Sequence, residues 1–154
     1  MVPRLLSLAV FLDSTPLSEL AHPETSTAIR AWLVKFGPDG TVVIPAIADY
    51  EVRRELLRVG RRSSMDRLDE LSRLLELLPI SQPALLLAAE FWARIRREGR
   101  PTAAAEALDA DVILAAQAAT WALDSGDEIV VATSNIRHIG RFVPAAHWTE
   151  IVPL

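Results

Sequence analysis

Hydrophobic residues along this chain fall into two patterns, short apolar runs and longer stretches with helical spacing. Compact runs over 5–12, 41–45 and 128–133 predict strands buried on both faces, and 148–152 predicts a final edge strand. Strands separated by helices favour a parallel sheet with right-handed crossovers, covered by helices on both sides. We therefore predict a three-layer α/β/α fold with a central, mainly parallel sheet.

Between the strands, apolar residues recur three and four positions apart, as in amphipathic helices. This spacing predicts helices over 24–36, 47–59, 63–78, 83–97, around 108–119, and 136–142, with a very short strand at 79–80. No repeat or low-complexity linker divides the chain. The prediction is one domain over 1–154, a length that can bury a core without disulfides.

Polar residues follow two of the predicted strands directly. Asp13 comes after the first strand, and Asn135 lies just beyond the strand at 128–133. The carboxyl ends of parallel strands meet at one edge of a sheet, where ligands bind in open α/β folds. Glu51 lies in the first turn of the predicted helix 47–59 and is expected at the same edge. Taken singly, each residue is also an ordinary turn or cap residue.

The segment 108–119, LDADVILAAQAA, places two aspartates at the predicted head of a helix rich in alanine. Asp111 is spaced with Ala115 and Ala118 at i, i+4, i+7, beside a face that can pack on the sheet. Asp109 lies about 200° around a regular helix from Asp111. At most one of the two should enter a site. The ordinary alternative is that Asp109 caps the helix and that Asp111 lies in its first turn without a role in a site.

Composition narrows the function further. Without cysteine, disulfides and thiolate zinc sites are excluded, and the apolar run at 5–12 is too short to span a bilayer, so a cytoplasmic protein is expected. The net charge of −4 conceals clustered arginines. These clusters suit either solvated helix faces or phosphate binding, which the sequence leaves open. They are Arg53, Arg54, Arg58, Arg61 and Arg62, and then Arg94, Arg96, Arg97 and Arg100.

Carboxylates that converge without a basic residue between them repel one another unless protons or cations neutralise them. A divalent ion supplies that charge, and hard oxygen ligands suit Mg²⁺ or Mn²⁺. Such ions commonly bind substrate phosphate through their open positions. The acids therefore point to metal-assisted hydrolysis of phosphodiesters.

Four segments also resemble, in order and spacing, the motifs of PIN-domain ribonucleases of the VapC-like toxin type. They are FLDSTPLSEL, IPAIADYEVRREL, LDADVILAAQA and VVATSNIRHI. The resemblance implies that Asp13, Glu51 and Asp111 bind metal and form the catalytic site with Asn135. It also implies that Thr133 supports this site by hydrogen bonding.

The same resemblance implies a divalent-metal-dependent endoribonuclease, with RNA as substrate and a cognate antitoxin as protein partner. Relatives usually form homodimers, and the leucine-rich helices over 63–97 offer an interface. The chain departs from the family at Asn135, where many relatives have aspartate, and at Ile139, where phenylalanine is frequent. These changes put the affinity for a second metal ion in question.

Two other classes of function stay open. One is a PIN-like module that has lost catalysis and binds RNA or protein; the other is a phosphatase acting on small phosphate esters. No Gly-rich phosphate loop or G-x-S-x-G turn supports nucleotide-binding or serine-hydrolase classes. His138 and Trp92 are expected to be structural, because an isolated histidine or a tryptophan on an apolar helix usually packs.

Overall fold

The computed structural model describes residues 7–24, 26–36, 41–99 and 105–153. Its sheet has the order β3-β2-β1-β4-β5, and all neighbouring strands are parallel. This arrangement confirms the predicted sheet and makes it entirely parallel. The strands are β1 (Leu8–Leu12), β2 (Thr41–Pro45), β3 (Glu76–Leu78), β4 (Glu128–Ala132) and β5 (Ala145–Ala146).

Helices cover both faces of this sheet. The described helices are α1 (Ser14–Ala21), α2 (Thr27–Lys35), α3 (Ala46–Val59), α4 (Arg62–Leu74), α5 (Gln82–Arg97), α6 (Ala105–Ser125) and α7 (Ile136–Ile139). A 3₁₀ turn, Trp148–Glu150, follows β5. Across the described part of the chain, no helix is both long and apolar enough to cross a membrane.

Alternation along β1 separates two hydrophobic cores. Val10 and Leu12 join a core with buried residues of α1 to α4, whereas Ala9 and Phe11 face a second core containing α6 and α7. A third cluster joins α5 to α6. These layers confirm the three-layer α/β/α fold.

The leucine-rich stretch at 63–78 is two elements instead of the predicted single helix. α4 ends at Leu74, Leu75 becomes extended, and β3 pairs with β2 through Glu76 to Leu78. The strand predicted at 79–80 is therefore wrong, because the observed strand begins three residues earlier and ends two residues earlier. Consecutive leucines satisfy a helical pattern, and only the open edge of β2 selects the extended conformation.

The predicted strand at 148–152 is also wrong. β5 is formed earlier, by Ala145 and Ala146, while the indole Nε1 of Trp32 donates a hydrogen bond of 2.9 Å to the carbonyl oxygen of Ile151. Trp32 also packs at a tilt on Trp148, with ring centroids 5.8 Å apart. These contacts hold the last residues against α2 instead of in the sheet.

Two helix starts differ from the prediction. α2 begins at Thr27 instead of residue 24, and α6 begins at Ala105. Asp109 and Asp111 consequently lie within α6 and not at its head, so the interpretation of Asp109 as a helix cap is wrong. The alanine-rich sequence before Asp109 has high helix propensity and extends the helix backwards.

Candidate active site

Asp13 is fixed at the carboxyl end of β1. The β1–β4 register pairs Leu12 with Ala132, which places Asp13 beside Thr133 at the sheet edge. Asp13 Oδ2 accepts a hydrogen bond of 2.7 Å from Thr133 Oγ1, and Oδ1 accepts one of 2.7 Å from the amide of Ser14. The second bond caps α1. Asp13 is 5% exposed, and both of its oxygens are oriented by neighbours.

Thr133 links Asp13 to the segment that carries Asn135. Its Oγ1, besides donating to Asp13, accepts a hydrogen bond of 2.8 Å from the amide of Asn135. The expected supporting bonds of Thr133 are confirmed. Asn135 immediately precedes α7 and is exposed, and its backbone amide is tied to the site through Thr133.

Glu51 reaches the same edge through α3. Pro45 ends β2 and α3 begins at the next residue, so Glu51 lies in the second turn, close to the strand ends. The side chain is half-buried. Burial and then the negative charge of Asp13 raise the pKa of Glu51, against a lowering effect of Arg54. The charge of Arg54 therefore acts on one of the acids.

Asp111 is the most perturbed acid of the group. It is 8% exposed on α6, and burial, followed by the negative charges of Asp13 and Glu51, raises its pKa to about 7. Asp109 is exposed on the same helix. The structure thus brings Asp111, and not Asp109, into electrostatic contact with the other acids.

The three acids form a concentration of negative charge. Hydrogen bonds orient Asp13, whereas no hydrogen bond within the described chain reaches the carboxylates of Glu51 or Asp111. Hard carboxylate oxygens with excess negative charge fit a divalent ion such as Mg²⁺. Among the described residues, however, no group of three or more His, Cys, Asp or Glu is already arranged to hold an ion. The match between these three acids and a divalent ion therefore rests on their negative charge and their oxygen donors.

Sequence reasoning missed a charged network behind Glu51. Arg53 donates to both oxygens of Asp49, at 3.0 and 3.1 Å, and to Asp69 of α4 at 2.8 Å. The four-residue spacing of Asp49 and Arg53 signals the first contact, but the contact with Asp69 requires the packing of α3 on α4. This network holds the helix that carries Glu51.

Gln117 is a second feature that the sequence pattern did not reveal. It is buried on α6, and its Nε2 donates to the carbonyl oxygens of Leu78 and Pro79 at 2.9 and 3.2 Å. Gln117 thereby joins the helix of Asp111 to the end of β3. Its position within a run of alanines gives no sign of this contact.

Comparisons with solved structures agree on the fold. A chain of the FitAcB crystal structure from Neisseria gonorrhoeae is 20% identical, with a TM-score of 0.69 over 92% of this chain and 99% of that chain. A chain of DNA-bound VapBC from Salmonella typhimurium is 19% identical, with a TM-score of 0.67 over 94% and 99%.

VapC20 of Mycobacterium tuberculosis, described as a toxin that cleaves the sarcin–ricin loop, is 14% identical, with a TM-score of 0.56 over 87% of this chain and 96% of that chain. No protein-family model matches the sequence, and no curated protein matches it. At these identities the comparisons concern the fold.

Proposed function

We propose, on the premise that this chain has the PIN-like fold of VapC-type toxins, that it is a divalent-metal-dependent endoribonuclease. The observation that carries the proposal is that the negative charge of Asp13 raises the pKa of both Glu51 and Asp111, and that Glu51 adds to the rise at Asp111. Such repulsion is relieved when a cation binds. The activity of the sarcin–ricin loop toxin supports RNA as the substrate.

In this proposal Asp13, Glu51 and Asp111 bind Mg²⁺ or Mn²⁺, and Asn135 contributes a neutral oxygen donor near the site. A bound ion would supply an activated water and positive charge for the phosphate oxygens. Thr133 keeps Asp13 in one orientation, so one ligand needs little reorganisation before binding. Asp111 must lose its proton to bind metal, and neighbouring positive charge lowers the pKa of a carboxyl group.

We further propose that the protein is the toxin of a toxin–antitoxin pair. The structural neighbours include VapBC assemblies, some bound to DNA, which supports a small antitoxin as the protein partner. We also propose a homodimer. Large apolar side chains are exposed on α5, which offers apolar area for contact with a second copy: Leu85, Leu86 and Trp92.

The decisive experiment is cleavage of a mixed RNA pool by purified protein with Mg²⁺, Mn²⁺ or chelator. Asp111→Asn removes the proposed ligand, and Asp109→Asn is the matched control on the same helix, since Asp109 is exposed. The expected result is metal-dependent cleavage by wild type and Asp109→Asn, and none by Asp111→Asn. Equal cleavage by all three proteins would place the nuclease activity elsewhere.

Two results would select another class of function. Retained RNA binding without cleavage under any metal condition would indicate an inactive PIN-like binding module. Turnover of a small phosphomonoester, with no action on RNA, would indicate a phosphatase. Isothermal titration calorimetry with Mn²⁺ measures metal binding without any substrate. A protein that binds no divalent ion would contradict the proposed nuclease function.

A further inference from the structure

An exposed aromatic ring lies on the helix that carries Glu51. Tyr50, the only tyrosine of the chain, precedes Glu51 on α3 and is 57% exposed. Exposed aromatic rings offer flat surfaces on which unpaired nucleic-acid bases stack. Nothing in the proposed metal chemistry uses this ring.

Arg54 connects this ring to the acids. Its guanidinium carbon lies 5.1 Å from the centroid of the Tyr50 ring, and its charge opposes the rise in the pKa of Glu51. Arg54 follows Tyr50 by four residues and Glu51 by three, spacings at which helix side chains are neighbours, so Arg54 adjoins both the ring and the carboxylate. The Tyr50–Arg54 pair therefore borders the site.

Arg54 also differs from its neighbours in how its charge is used. Arg53 forms ion pairs with Asp49 and Asp69, and Arg58 pairs with Glu55. Within the described chain, no carboxylate lies within ion-pair distance of Arg54. Its guanidinium is available to a ligand, and it carries positive charge at the rim of a site whose acids repel phosphate.

We infer that Tyr50 and Arg54 form the substrate-binding subsite of the proposed nuclease, where Tyr50 stacks on an unpaired base and Arg54 contacts a neighbouring phosphate of single-stranded RNA. This inference rests on the proposed function and extends it to a substrate class. Bases within a duplex are already stacked and do not present their faces to a side chain, so the subsite selects single-stranded segments.

The test measures binding apart from catalysis. Fluorescence anisotropy with a short fluorescein-labelled single-stranded RNA of mixed sequence, in chelator, compares wild type with Tyr50→Leu, Tyr50→Phe, Arg54→Gln and Arg58→Gln. Tyr50→Leu should weaken binding roughly fivefold to hundredfold, because one stacked base is lost. Tyr50→Phe keeps the aromatic ring and should bind within about twofold of wild type.

Arginine variants separate a specific contact from general charge. Arg54→Gln should weaken binding about tenfold and reduce the slope of log affinity against log salt by about 0.7, the loss of one phosphate contact. Arg58→Gln, an equal charge change one turn further along α3, should have no effect. Equal effects of the two arginine variants, or wild-type binding by Tyr50→Leu, would overturn the subsite.

The two proposals fail in different ways. If wild type cleaves RNA with metal while the Tyr50 and Arg54 variants bind and cleave normally, the subsite is wrong and the nuclease stands. If the variants weaken binding as expected but no metal condition gives cleavage, the subsite stands on an RNA-binding module. Wild-type protein that binds no single-stranded RNA, with or without Mg²⁺, overturns both.

Discussion

Thr133 shows how much one hydroxyl group can determine at this site. It donates to Asp13 and accepts from the amide of Asn135, so both the strand end of β1 and the segment before α7 depend on it. Thr133 is 1% exposed, so a water molecule cannot take the place of its hydroxyl group unless the surrounding residues move. The sequence alone placed Thr133 beside the strand end, but the partner of its hydroxyl required the β1–β4 register.

Replacing Thr133 tests this link. Thr133→Val keeps the shape and removes the hydroxyl, which should lower the free energy of unfolding by about 1–3 kcal/mol, because the amide of Asn135 and a buried oxygen of Asp13 lose a partner. Urea denaturation measures the change. Thr133→Ser retains the hydroxyl, so its free energy of unfolding should fall less than that of Thr133→Val. Equal decreases in the two variants would contradict the hydrogen-bonding role.

Asp111 should make the stability of the metal-free protein fall as pH rises. Its pKa is raised from 3.8 to about 7 in the folded chain, so between these values the folded state holds a proton that the unfolded state has released. The free energy of unfolding then decreases across this window, by an amount on the order of 2 kcal/mol or more. Glu51 acts in the same direction because its pKa is also raised.

Chemical denaturation in chelator at several pH values measures this dependence. Asp111→Asn should flatten the decline and be more stable than wild type near neutral pH, whereas exposed Asp109→Asn should follow wild type. A divalent ion should restore stability to wild type at neutral pH. An unchanged slope in Asp111→Asn would show that its carboxyl group is not the one perturbed.

At the scale of elements, α6 is the helix on which the fold and the site both depend. Its buried alanines, including Ala115 and Ala118, allow close packing against the sheet, and Asp111 lies on the same helix. The alanine pattern predicted close packing, but Leu108 and Val112, expected to pack on the sheet, pack with α5 instead. It did not predict where the helix begins, because alanine continues a helix as readily as it starts one.

Enlarging one of these alanines should disturb the packing. Ala118→Leu inserts three carbons into a fully buried position and should lower the free energy of unfolding by about 1–3 kcal/mol. Thermal and urea denaturation report the change. Leu123→Ala, on the same helix but 81% exposed, is the control and should have little effect. Similar losses in both variants would contradict a close contact at Ala118.

For the whole molecule, the proposed homodimer gives a direct test. Leu86 on α5 is 61% exposed, and Leu86→Glu places a charge on the apolar surface described above. Sedimentation should change from dimer to monomer, because burying an unpaired charge opposes association. Val34→Glu on α2, 76% exposed in wild type, should leave the dimer intact. A monomeric wild type would contradict the homodimer.

The amino-acid sequence by itself determined the layer architecture. Buried strands and amphipathic helices follow from local periodicity. Asp13 and Asn135 were predicted at the sheet edge because each comes after a strand. The same pattern could not choose between helix and strand at 75–78, where consecutive leucines satisfy both. It also predicted a strand at 148–152, a segment that instead hydrogen-bonds to Trp32.

Only the tertiary structure decided which charges meet. Asp111 and Asp109 are both acids of one helix, and burial against the sheet perturbs the first while the second remains in solvent. Arg53 of α3 binds Asp69 of α4, and Arg54 lies over the Tyr50 ring and acts on the charge of Glu51. Periodicity places a residue on a helix face, but pKa values and ion pairs depend on atoms from distant parts of the chain, which packing alone brings together.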